Sequence, residues 1–269
     1  VYGVAAEVSI AKLFIAGVIP GIMLACLFSG YVVGWSLLNK DKVPAGDANM
    51  SFRQKIYEAR HLIPVIALIG VVLGSIYSGV ATATEAAAIG VIGSLVLAAV
   101  EGSLSCKSFT EGLAAGARIY CMIGLILAGA AFLTLAMGFV GLPRELAAFV
   151  GSLGLSPLML IVSLTALFLL LGCFLDGISM VVLTVGVLLP TVQAAGIDLI
   201  WFGIFIVLVV EIAQITPPVG LNLFVLQGLT KRELTWIAKT VIPMFMLMMM
   251  AILLIYFFPD VVLWLPGRM

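Results

Sequence analysis

An all-α integral membrane protein is predicted by three observations. Hydrophobic residues make up 64% of the 269-residue chain and charged residues only 10%, with a mean hydropathy of +1.30. Those proportions exclude a water-soluble globular domain. Apolar runs of about 20 residues recur along the whole sequence between short polar stretches, a length that suits spanning helices and not the alternating strands of a barrel. The third observation is the segment EIAQITPPVGLNLFV (211–225), an apolar run interrupted by Pro217-Pro218 and Gly220, with Thr216 and Asn222 flanking the break. Two consecutive prolines remove two backbone donors and crowd the preceding carbonyls, so a helix arriving from Leu199 must stop near Thr216 and another start after Gly220. Interrupted backbone at membrane depth persists only where protein covers it or where it lines a cavity, so the break predicts a transport site.

The elements follow in order. The opening Val1-Tyr2-Gly3 has no initiator methionine and no basic leader, which predicts a processed chain or a later part of a longer one. Leu13–Leu38 is the first span, and the polar connection Asn39–His61 carries Lys40, Lys42, Arg53, Lys55 and Arg60. Cations concentrate on cytoplasmic loops, so this connection is assigned to the inner face. Leu62–Tyr77 runs outward, SGVATATEA turns the chain, and Glu85–Val100 returns to a connection with Lys107. Leu113–Val140 leads out to the amphipathic stretch LPRELAAFVGSLGLS (142–156).

Pro157–Phe174 then enters the membrane, LDGIS (175–179) interrupts it, and Ile178–Pro190 precedes the polar turn QAAGID. Thirteen residues at 1.5 Å each cover roughly 20 Å, short of a hydrocarbon core of about 30 Å. Pro157–Pro190 therefore reads as a re-entrant hairpin opening to the outer face with its tip at Gly172–Ser179. Leu199–Ile215 descends to the break, Leu221–Leu229 completes the crossing to Lys231-Arg232, and Trp236–Phe258 is the last span, with Trp264 placed at the interface beyond it. Eight loop cations (Lys40, Lys42, Arg53, Lys55, Arg60, Lys107, Lys231, Arg232) then face the cytoplasm and three (Lys12, Arg144, Arg268) face outward. The chain divides into 1–61 (first span and basic connection), 62–156 (scaffold-like spans), 157–235 (transport-site region) and 236–269 (last span and outer tail).

Net charge is zero and no basic run is long, which argues against nucleic acid as a partner. Cys26, Cys106, Cys121 and Cys173 lack ligand spacing and read as small buried hydrophobes. His61, the only histidine, adjoins the basic loop and reads as a surface residue.

Discontinuous helices expose free carbonyls at one half-helix end and free amides at the other. Carbonyls with one carboxylate suit a small hard cation, and amides suit an anionic substrate. Asp176 is the sole acid between Glu145 and Asp198, at a depth where an ionised carboxylate needs a partner, so it reads as a sodium ligand or a support for the tip, against a residue snorkelling to the interface. Gly172 and Ser179 bound that tip. Thr216 and Asn222 can cap freed backbone, coordinate an ion or contact substrate. Glu211 reads either as an ion-site residue or as hydrogen-bonded to Gln214 or a neighbouring helix. Thr82, Thr84 and Glu85 are secondary site candidates, but Thr82 with Glu85 three residues on also matches a capping box, so a plain helix start is the stronger reading there. Ala86, Ala87, Ala88 and Gly90 permit close helix packing.

The opening VYG…AKLFIAGVIPG, the segment SGVATATEAAAIG, GCFLDGISMVVLTVGVLLP and GIDLIWFGIFIVLVVEIAQITPPVGLNLFV, in that order, make the chain resemble the C-terminal part of the large membrane subunit (DctM-like) of tripartite ATP-independent periplasmic (TRAP) transporters. The resemblance covers essentially the whole chain. It implies an ion-transporter-superfamily-like bundle of two inverted repeats, each pairing a re-entrant hairpin with a broken helix, of which the first would precede Val1. It also implies a multi-pass protein of the bacterial inner (cytoplasmic) membrane, not an enzyme: an elevator-type secondary importer driven by sodium (Na+), without an organic cofactor. The cargo would be an organic acid such as a C4-dicarboxylate or sialic acid. Its partners would be a periplasmic substrate-binding protein, a small four-helix membrane subunit and the lipid bilayer. By the same resemblance Gly172, Asp176, Thr216, Pro217 and Asn222 fall in the ion and substrate region, to which Ser179 and Gly220 are added as candidates; Gly186 departs from the family pattern, which usually carries proline there. A stand-alone ion-coupled symporter and a passive channel are the competing readings. An intramembrane aspartyl protease would need a second carboxylate beside Asp176, and no second intramembrane aspartate is present.

Overall fold

The computed structural model describes residues 1–42, 54, 57, 59–141, 145, 148–149, 152–154, 156–217 and 220–268. Parts of two sequence-level assignments, the basic connection with Arg53 and Lys55 and the 142–156 stretch with Arg144, lie outside the described residues, as does Pro218. Among the described residues all regular structure is helical: α1 Tyr2–Ala5, α2 Ile10–Ala16, α3 Val18–Leu38, α4 Ile63–Tyr77, α5 Ala83–Val100, α6 Cys106–Val140, α7 Pro157–Gly172, α8 Gly177–Ala194, α9 Leu199–Gln214, α10 Leu221–Thr230, α11 Leu234–Phe257 and α12 Asp260–Leu263. Among the described residues, five stretches are long and apolar enough to cross a membrane: Ile10–Leu38, Ala83–Val100, Cys106–Met137, Gly177–Ala194 and Leu234–Phe257. The chain forms two compact units, residues 1–28 with 120–269, and residues 29–119.

The first span begins at Ile10, earlier than Leu13, and is articulated at Gly17. Pro20 has no N–H to offer the Ala16 carbonyl, which interrupts the ladder there. In the 29–119 unit, α4 packs on α5. A Cβ at Gly93 would lie 2.3 Å from Leu68 Cδ1, and one at Gly90 would lie 3.5 Å from Val72 Cγ2, so small residues do set this approach, with Gly93 the tighter point. The capping box starts α5 as expected: Glu85 N–H donates to Thr82 Oγ1 (3.3 Å), and Thr82 N–H donates to Glu85 Oε2 (2.8 Å). Helix α6 starts at Cys106, seven residues before its apolar run, because Ser105 and Ser108 cap each other reciprocally.

The larger unit is organised around α9. Eleven of its sixteen residues are buried, while Val207 and Glu211, one turn apart, are exposed, so it is a largely interior helix with one open strip. Helices α2, α7, α8 and α11 pack around it. Phe205 is the hub: Trp201 and Phe202 stack on it at 5.9 and 5.7 Å between ring centroids, and Phe168 of α7 meets it edge-on at 6.5 Å. Asp198 starts the helix by accepting from the N–H groups of Ile200 (2.8 Å) and Trp201 (3.0 Å).

Trp201 Nε1–H donates to the Ile255 carbonyl at 2.9 Å. That carbonyl is one of the last four of α11 and has no partner within its own helix. Replacing Trp201 with phenylalanine keeps an aromatic ring but leaves the buried carbonyl unpaired. A loss of about 1 kcal/mol is expected, read as a lower melting temperature of the purified protein by tryptophan-independent thermal unfolding.

Two sequence-level expectations are corrected. Helix α8 continues through Pro190 to Ala194, so the second hairpin arm has 18 residues and its length no longer argues against a full crossing. A proline in mid-helix costs one backbone bond, here the one to Gly186, and the apolar neighbours on α9 hold the helix together across it. Cys26, Cys106 and Cys121 are exposed, not buried, and Cys173 is half-buried; all four are free thiols. An apolar run in a membrane protein has lipid as an alternative to the protein interior, so a cysteine within one need not be inside.

Candidate functional site

The site is assembled where the α7–α8 turn meets the end of α9. Helix α7 ends at Gly172, four residues (173–176) turn the chain, and α8 begins at Gly177. Asp176 is the N-cap of α8: its Oδ2 accepts from the N–H groups of Ile178 (3.1 Å) and Ser179 (3.2 Å), and its Oδ1 accepts from the Ser179 hydroxyl. The carboxylate is thus engaged in capping α8 at the turn. A carboxylate offers about four lone-pair sites and three are engaged here, which leaves one open.

Both ends of the turn press on α9. A Cβ at Gly172 would lie 2.3 Å from Ala213 Cβ and 3.1 Å from its backbone carbons; one at Gly177 would lie 2.3 Å from Gln214 Nε2 and 2.8 Å from Val210 Cγ1. Between them, the Cys173 thiol lies 3.4 Å from the Leu169 carbonyl and 3.8 Å from that of Pro217.

Helix α9 ends at Gln214 and α10 begins at Leu221, so the break falls where the prolines and Gly220 put it. Gly220 has φ +43°, and the carbonyl oxygens of Thr216 and Gln214 lie 2.9 and 3.0 Å from where its Cβ would be. Among the described residues, nothing donates to the Gln214 carbonyl. The Thr216 hydroxyl donates to the Ile212 carbonyl at 2.7 Å, so it caps the end of α9, the plainer of its readings. Half-buried Asn222 makes no side-chain hydrogen bond among the described residues. The N-terminus of α10 carries no side-chain cap; the Leu223 N–H donates to the Gly220 carbonyl at 2.7 Å, while the amides of Leu221 and Asn222 have no partner among the described residues.

Glu211 does not bond Gln214. Its exposed side chain lines a cavity of about 450 Å³ with Tyr2, Phe14, Gly177, Ile178 and Val207, and Tyr2 is fixed there by donating to the Leu199 carbonyl at 2.7 Å. Thus Gly172, Asp176, Ser179, Thr216 and Pro217 come together at one place, with Gly220 and Asn222 at the following helix start. Thr82, Thr84 and Glu85 belong to the 29–119 unit, where they begin α5. Reasoning from sequence missed Gly177, Cys173, Ala213 and Gln214. The one available signal was the pair of small residues, Gly177 on the tip and Ala213 beside the break.

Chemically, the place combines a carboxylate with an open site, a Gln214 carbonyl without a donor among the described residues, and a helix N-terminus without a side-chain cap. The model for the DctM component of tripartite ATP-independent periplasmic transporters matches residues 1–261. The chain belongs to this family. It is therefore an all-α, multi-pass protein of the inner membrane, and its family is one of transporter permeases, not enzymes. The chain is 33% identical over 268 residues to the C4-dicarboxylate TRAP transporter large permease protein DctM of Pseudomonas aeruginosa, covering 99% of this chain and 62% of that one. It is 31% identical to the isethionate TRAP transporter permease protein DctMQ of Oleidesulfovibrio alaskensis, covering 99% of this chain and 42% of that protein. It is also 29% identical to the sialic acid TRAP transporter large permease protein SiaM of Vibrio cholerae, again over 99% of this chain and 62% of the relative. The chain thus spans between two fifths and two thirds of the length of these relatives.

Proposed function

We propose that this chain forms part of the membrane pathway of a sodium-coupled importer of a small organic acid of the C4-dicarboxylate or sugar-acid type. A periplasmic binding protein delivers the substrate, and a small four-helix membrane subunit completes the complex. The α7–α8 hairpin is re-entrant and moves with α9 and α10 as an elevator, carrying ion and substrate together. The observation that carries this reading is the seating of the Asp176 tip on the interrupted end of α9, with Gly172 and Gly177 allowing the close approach. Sodium prefers oxygen ligands, and the Gln214 carbonyl, without a donor among the described residues, offers one together with the Asp176 carboxylate; the α10 N-terminus, without a side-chain cap, suits a substrate carboxylate. The names of the relatives, which print C4-dicarboxylate, isethionate and sialic acid, point to an anionic cargo.

The test is uptake by the full-length parent protein with its small subunit in liposomes, with and without a sodium gradient and purified binding protein. Asp176→Asn is the informative substitution, because asparagine is an equally good N-cap and the change isolates the charge from the cap. Asp176→Asn and Asn222→Ala are each expected to weaken sodium activation at least tenfold while membrane insertion is unchanged. Unaltered sodium activation in both variants sinks the ion-site assignment. Uptake indifferent to the binding protein favours a stand-alone symporter, and non-saturable flux without sodium favours a channel.

A further inference from the structure

A second cavity, of about 500 Å³, runs from the end of α9 along the first half of α11. Ile215, Ala238, Ile242, Phe245 and Met246 form its apolar walls, with Thr216 and Pro217 of the break on one side. Its only charged lining residue is Lys239, which is exposed and has no carboxylate partner among the described residues. Trp236, one turn earlier, is exposed, and the Arg232 guanidinium lies 5.4 Å from the centre of its ring. Trp236 and Lys239 are three apart on α11 and so share a face, and Arg232, which precedes the helix, meets the indole of Trp236. Lys231 adds a third cation and Glu233, the N-cap of α11, the one acid, leaving a net charge of two at this end.

We propose that this groove seats an anionic phospholipid of the bilayer, its phosphate held by Lys239 and Arg232 and one acyl chain lying against Ile242, Phe245 and Met246. Charge complementarity selects the ligand: a cation in an otherwise apolar groove is satisfied by an anionic headgroup arriving with its own hydrocarbon, which a zwitterionic lipid or a bare phosphate does only in part. Tryptophan at this level suits the headgroup region. From Lys239 to Met246 the helix rises about 10 Å, enough to bury a substantial part of an acyl chain. An occupant there touches Thr216 and Pro217, so it braces the helix break. The inference is independent of sodium coupling.

The experiment labels the purified full-length permease complex with phosphatidylglycerol carrying a diazirine in mid acyl chain, with the equivalent phosphatidylcholine in parallel. Adducts of the phosphatidylglycerol probe are expected on residues 215–217 and 238–246, at least fivefold above those of phosphatidylcholine. Lys239→Gln is expected to remove that excess and Lys239→Arg to retain it, a pairing that separates lost charge from lost fold. Ile242→Trp, which fills the groove with Lys239 intact, is expected to abolish labelling by both probes. Equal labelling by the two lipids, indifference to Lys239→Gln, or crosslinking of groove residues to another part of the polypeptide would each overturn the proposal.

Discussion

Gly172→Val is expected to cost the full-length transporter at least tenfold in uptake rate while leaving its membrane insertion intact. Any Cβ at residue 172 would lie 2.3 Å from Ala213 Cβ and 3.1 Å from the Ala213 backbone, where carbon atoms need roughly 3.5–4.0 Å. The hairpin tip must therefore lift by more than an ångström from the end of α9. Helix α9 has little room to yield instead, since eleven of its sixteen residues are buried and its other end is fixed by Asp198. Overpacking of this kind costs about 1–3 kcal/mol in stability. A misplacement of about 1 Å at a working site can cost a hundredfold in rate. The check is the pair Gly172→Ala and Gly172→Ala with Ala213→Gly, measured for both thermal unfolding and uptake. Removing the Ala213 methyl group eliminates the closest contact, so partial recovery is expected. A double variant no better than the single one would mean that the approach of tip to helix is not what transport requires.

Gly220→Ala is the second large effect. The residue sits at φ +43°, where a side chain costs roughly 1–2 kcal/mol, and its added Cβ would press on the Thr216 and Gln214 carbonyl oxygens at 2.9 and 3.0 Å. Those carbonyls must turn away, which dismantles the oxygen cluster at the break. Gly196→Ala is the matched control. Gly196 has φ +71° but nothing lies within 4 Å of its Cβ position, so it reports backbone strain alone. Gly196→Ala is expected to lower the melting temperature and leave uptake near that of the parent; Gly220→Ala is expected to lower both. Similar uptake in the two variants would place the cluster outside the transport path.

The parts of this architecture that were legible in the sequence are those whose cause is local. Pro217, Pro218 and Gly220 act on their own backbone, so the end of α9 and the start of α10 could be placed from the residues alone. Thr82 and Glu85 needed only a three-residue spacing to announce the start of α5. Misreadings arose where a local signal was outweighed by packing. Pro190 looked like a terminator, yet α8 passes through it because α9 lies alongside; Leu113 looked like the start of a span, yet the Ser105–Ser108 caps open α6 earlier. The contact of Gly172 with Ala213 joins residues 41 positions apart and leaves no periodic trace. The roles of Cys173 and Tyr2 were hidden for the same reason, since each depends on a carbonyl supplied by a distant segment.

The enclosure of most of α9 bears on how the chain is made. Its neighbours α2, α7 and α8 come before it in the sequence, but α11, whose Ile255 carbonyl receives the Trp201 indole, comes after. When α9 leaves the ribosome, one wall of its final environment has not yet been synthesised. Its 16 residues amount to about 24 Å of helix and end in prolines, a poor span to hold alone in lipid. The nascent chain must therefore shelter α9 against the earlier helices, or in the insertion machinery, until some forty more residues have emerged. Chain termination or stalling between Gln214 and Leu234 would strand the most apolar helix half-covered, and that interval is where quality control would find this protein most exposed.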